Sequence, residues 1–84
     1  MYEHYFTKTN RETVQAVRLE YGQLGGKYVV KTYEGEENPN GLFLHKFIFP
    51  REEVFDDEQR MLNKVLDARK KFSEERWILE TKNQ

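Results

Sequence analysis

The stretch Thr9-Asn10-Arg11-Glu12-Thr13-Val14-Gln15-Ala16-Val17-Arg18-Leu19-Glu20-Tyr21-Gly22-Gln23-Leu24-Gly25-Gly26 decides the fold, because it fits two templates at once. As a strand, Thr13 to Tyr21 interleaves Val14, Val17, Leu19 and Tyr21 with polar residues, after a turn at Asn10-Arg11-Glu12 and before the turn group Gly22 to Gly26. As a helix, Thr9-Asn10-Arg11-Glu12 is a capping box, and Val14, Val17, Tyr21 and Leu24 recur at helical spacing before Gly25-Gly26. The strand reading gives an antiparallel meander. The helix reading gives a βαββα order, which becomes the ferredoxin-like βαββαβ if Trp77 to Thr81 forms a last strand.

The flanking sequence favours the meander. Tyr2 to Thr9, Lys27 to Glu34 and Leu42 to Phe49 are rich in aromatic and β-branched residues. Gly35 to Gly41, containing Asn38-Pro39-Asn40-Gly41, supplies the remaining turn. The expectation is a small α+β fold with about four strands over residues 2–49, packed on one long C-terminal helix. Asp56, with Gln59 three residues on, is the candidate cap of that helix, and Met61, Val65, Ala68 and Phe72 make one apolar stripe. The helix is expected from about residue 57 to at least residue 72, with residues 77–81 open between its continuation and a strand.

At 84 residues there is room for one core, so residues 1–84 are read as a single domain. Hydrophobic residues make up 37% and charged residues 35%, and six Phe, five Tyr and one Trp predict an aromatic-rich core. No unbroken apolar run exceeds three residues, so no membrane association is expected. The absence of Cys fits a reducing compartment and removes thiol chemistry, and a cytoplasmic location is the expectation.

The formal charge of −1 argues against strong nonspecific attraction to nucleic acid or anionic lipid. Charge is nevertheless polarised, with acids at Glu52, Glu53, Asp56, Asp57 and Glu58 and bases at Arg69, Lys70 and Lys71. A helix with its acidic end first accounts for this.

Chemistry-bearing patterns fail on inventory. Ser73 is the single Ser, beside Glu74 and Glu75, and the two His, His4 and His45, lie on different expected strands with no third ligand located. The acids of Glu34 to Asn40 do not follow calcium-loop spacing. Gly22 to Lys27 is no phosphate loop, since Tyr21 stands where its first Gly is needed and Tyr28 where a Ser or Thr is needed. No enzyme, cofactor or metal is expected.

The segment Leu42 to Phe49 points to a surface instead. As a strand it puts Leu42, Leu44 and Ile48 on one face and Phe43, His45, Phe47 and Phe49 on the other, both apolar. One helix covers one face of a sheet, so the other needs twist, the chain ends, a second subunit or a ligand. The helix adds Leu62, Leu66 and Trp77 on a flank of its main stripe. Phe43, His45, Phe47, Phe49, Leu62, Leu66 and Trp77 are therefore the candidate interface of a non-enzymatic protein-binding or accessory module, with a homodimer as one form of it. The alternative is nucleic acid stacked on exposed aromatics, its phosphates met by Lys27, Lys31, Lys46, Arg69, Lys70 and Lys71.

Overall fold

The computed structural model describes residues 1–80. Its elements are β1 (Tyr2–Asn10), β2 (Thr13–Leu24), β3 (Lys27–Glu37), β4 (Phe43–His45), β5 (Arg51–Phe55), α1 (Glu58–Glu74) and β6 (Ile78–Glu80). One antiparallel sheet runs in the order β4-β3-β2-β1-β6, with β5 also paired to β3. The α+β class is as expected, but the sheet has six strands rather than about four.

The ambiguous stretch is strand, which removes the helical alternative and the ferredoxin-like order. Thr13–Leu24 is paired along both edges, to β1 and to β3, and these ladders outweigh the local capping-box signal. The capping-box residues instead build a tight hairpin, closed by the pair Asn10↔Thr13, with Arg11 at φ 58°. At the next hairpin Gly25 and Gly26 take φ 57° and 79°, the positive values that a two-residue connection demands.

Two further expectations are corrected, and one left open is decided. First, Leu42 to Phe49 is a strand only over Phe43–His45, after which the chain leaves the ladder. Second, the acids after Arg51 divide: Glu52 and Glu53 belong to β5, while Asp57 and Glu58 open the helix, with Asp57 rather than Asp56 as its cap, accepting from the Gln59 amide at 2.7 Å. Asp56 is bound instead to Lys27. The stretch left open between helix and strand is strand over Ile78–Glu80, which pairs with β1, and Thr81 lies outside the described residues.

Alternation divides the sheet into two faces. One carries Phe6, Val17, Leu19 and Val30, on which Met61 and Val65 of α1 pack to form the core. Burying each of these side chains contributes on the order of 1.5–3 kcal/mol. Leu62, Ala68, Phe72 and Trp77 flank them. Across this face the helix carries the chain from β5 to β6, strands that lie toward opposite sides of the sheet. The other face receives no helix.

Candidate interaction surface

β4 and β5 are two pieces of one antiparallel partner of β3. Phe43, Leu44 and His45 pair with Glu37, Glu36 and Gly35, and Arg51 to Phe55 pair with Thr32 down to Tyr28. Between the pieces, Tyr33 and Glu34 of β3 are opposed by residues 46–50, so surplus chain is forced outward as a wide bulge. The Lys46 amide donates to the Glu34 carbonyl at 2.8 Å, and Arg51 re-enters the ladder opposite Thr32. Pro50, which has no N–H to offer a ladder, stands just before re-entry.

What the bulge displays is apolar. Ile48 is 90% exposed, Phe49 81% and Phe47 54%, with Leu42 and Leu44 also exposed beside them. Three consecutive large apolar side chains thus stand in solvent on a loop whose two ends are pinned to one strand, where a soluble surface ordinarily spreads such residues apart. Lys46 lies over the Phe47 ring at 5.5 Å.

The face without a helix is covered by its own side chains. Tyr5, Arg18 and Tyr33 share one cross-strand row, and the Arg18 guanidinium lies 4.4 Å from the Tyr33 ring centroid and 5.4 Å from that of Phe43. Phe43 meets Tyr5 and His45 edge to face at 6.1 and 4.8 Å. The Tyr5 hydroxyl donates to Glu37 Oε2 at 2.8 Å, and burial, then this bond, push its phenol pKa well above the ordinary value. Beneath the layer Ala16 and Gly35 form a small-residue floor, where a Cβ on Gly35 would stand 2.1 Å from the Leu44 carbonyl oxygen and 2.9 Å from the Phe43 ring. Arg18 also lies 3.6 and 3.5 Å from the carboxylates of Glu3 and Glu20.

The expected interface residues therefore separate. Phe43 belongs to the self-covering layer and His45 stands exposed at its rim, whereas Phe47 and Phe49 occupy the bulge. Leu62 packs on the core and Trp77 on Phe72, while Leu66 stays exposed on the helix. Arg18, Tyr5 and Tyr33, absent from the expected set, were legible in principle. The tight closures Asn10↔Thr13 and Leu24↔Lys27 fix the register that aligns them.

The six cations are divided between surfaces. Lys27 is bound to Asp56, Lys31 lies on the face away from the helix, Lys46 belongs to the bulge, and Arg69, Lys70 and Lys71 ride on the helix. On the helix side the His4 ring contacts Tyr21, its Nε2 2.9 Å from the Tyr21 hydroxyl, and its buried Nδ1 has no partner among the described residues. Burial, and secondarily the charge of Arg69, hold this imidazole below its ordinary pKa.

Among the described residues no group of three or more His, Asp or Glu is placed to hold a metal ion, and no helix is long and apolar enough to cross a membrane. No family model, no curated protein and no solved structure matches the chain.

Proposed function

We propose that this chain is a small non-enzymatic binding module whose working surface is the apolar bulge of residues 46–50, together with the exposed rim of the aromatic face beside it. The observation that carries the reading is the exposure of Ile48 and Phe49 on a loop anchored at both ends. A segment already held in place loses little chain entropy on docking, so more of its apolar burial is left for affinity. Aromatic and aliphatic anchors of this kind are the residues that dominate protein interfaces. Nucleic acid binding has less support, because the cations form no single track beside the exposed rings.

The test is a photo-crosslinking amino acid placed at position 48 of the full chain in cell extract, with position 12, exposed at the β1–β2 turn, as the control. Protein adducts are expected from position 48 and not from position 12. Absence of any protein adduct at 48 would remove the proposal. Salt-sensitive retention of oligonucleotides, lost on changing Arg69 and Lys70 to Ala, would favour the nucleic-acid alternative instead.

A further inference from the structure

Resting on that reading, we infer that the partner seated on the bulge is a second copy of this chain, joined across a two-fold axis. Three features converge on it. The first is the imbalance of the fold: among the described residues nine hydrophobic side chains are buried, whereas twelve large ones are exposed. A domain this small gains little from its own core, so association that buries the five of these in and beside the bulge, Leu42, Leu44, Phe47, Ile48 and Phe49, adds directly to the stability of the folded state.

The second feature is area. Leu42, Leu44, Phe47, Ile48 and Phe49 are 62, 54, 54, 90 and 81% exposed and succeed one another within eight residues of chain. At about 150–250 Å² for each Phe and rather less for each Leu or Ile, they offer on the order of 600 Å² of apolar surface. That reaches the upper end of the largest patch an ordinary monomer shows, about 300–600 Å², and approaches the roughly 800 Å² per partner of a specific interface. One copy therefore carries the larger part of a half-interface.

The third is charge. The patch is edged by both signs, with exposed Lys46 and Arg51 on the bulge side and exposed Glu36 beside Leu44 on the β3 side. Arg51 reaches Glu34 of its own chain only at 3.8 Å. A rim of mixed sign suits a copy of itself, because a two-fold rotation brings the cations of one protomer toward the acids of the other, while an anionic lipid surface or nucleic acid would meet Glu36 unfavourably. The apolar tips then meet at the axis, as an isologous contact requires.

Sedimentation of the full chain across a hundredfold dilution about the micromolar range tests this, with the parent compared to Ile48→Glu and Phe49→Ser. Both positions lie outside the core, so circular dichroism should show the fold retained in each variant. The parent is expected to sediment at twice the chain mass of 10.2 kDa, and Ile48→Glu to weaken association by about 100-fold or more, since it places an unpaired charge at the interface centre. A parent that stays at the monomer mass throughout the range overturns the inference, as does a dimer indifferent to both substitutions. Monomeric parent with heterologous protein adducts at position 48 would overturn the second copy while leaving the binding-module reading intact. Monomeric parent with no adduct, or one that pelleted with phosphatidylcholine vesicles through Ile48, would remove both.

Discussion

The amide of Trp77 donates to the carbonyl of Phe72 at 2.9 Å, and the rings of the same two residues meet edge to face at 5.2 Å. With Arg76 N–H donating to Ser73 O at 3.0 Å, this is the double closure of a helix C-terminus, reinforced by the apolar contact that commonly accompanies it. The closure turns the chain off the helix and delivers Ile78–Glu80 to the edge of β1.

The closing residue is Arg76 at φ 67°, a conformation glycine adopts without strain and other L-residues do not. Arg76→Gly is therefore expected to stabilise the fold by roughly 0.5–1 kcal/mol, the relief of strain exceeding the entropy that glycine adds to the unfolded chain. Arg76→Val, β-branched at the same φ, should destabilise it. Urea unfolding midpoints of the two variants check the sign, and a lower midpoint for the glycine variant would contradict the assignment.

Gly35 carries a different constraint, one of space rather than of φ. Its Cβ would overlap the Leu44 carbonyl oxygen of the neighbouring strand, which is backbone and cannot swing aside. Gly35→Ala is expected to cost about 1–3 kcal/mol and to detach β4 locally. Amide exchange should accelerate at Lys46, whose N–H bonds Glu34 across this seam, before it changes in β2.

These positions show where the sequence was informative. The helix stripe of Met61 and Val65 packs on the sheet because periodicity over several turns reports one continuous buried face. The meander was legible through turn chemistry, since Gly25-Gly26 permits a connection that few other residue pairs do. The extra strands were not. β5 and β6 are short pieces of five and three residues, too brief for a pattern, although β6 fell within the stretch left open as a strand, and β5 carries acids that meet cations on both faces of the sheet rather than the start of a helix. Glu53, for instance, lies 3.4 Å from Lys64. The bulge was misread for a related reason: alternation continues on paper through Phe47 and Phe49, but only the long-range pairing of Arg51 with Thr32 shows that these residues have left the ladder.

His4 gives the fold a pH dependence whose sign can be stated. Burial and Arg69 lower its folded pKa below the ordinary value of 6.5, so the unfolded chain binds the proton more readily. Stability from this site is fully present above that ordinary value and is lost as pH falls from it through the lowered folded pKa. In His4→Phe the loss over this window should disappear, while the stacking beside Phe6, at 6.4 Å between centroids, keeps an aromatic ring in place. Urea midpoints measured stepwise from neutral to acid pH check this. Equal slopes for parent and variant would place the acid sensitivity elsewhere.

The final contrast is between Leu19 and Ile48, two aliphatic residues at opposite extremes of exposure, 2% and 90%. Leu19 sits among Phe6, Val17, Val30, Met61 and Val65, and truncation to Ala leaves a cavity that the surrounding ladders cannot close; the expected cost is about 2–5 kcal/mol. Ile48 contacts no core, so within a monomer Ile48→Ala should change unfolding by no more than about 0.5 kcal/mol. Measured at high dilution, the two variants should differ by that margin. Raising the concentration should leave the Leu19 deficit unchanged relative to the parent, yet open a deficit for Ile48→Ala that grows with concentration, because the parent then gains stability from association that the variant forgoes. Concentration-independent melting of parent and variant alike would show that Ile48 contributes nothing to self-association, and a second copy would no longer account for the exposure of the bulge.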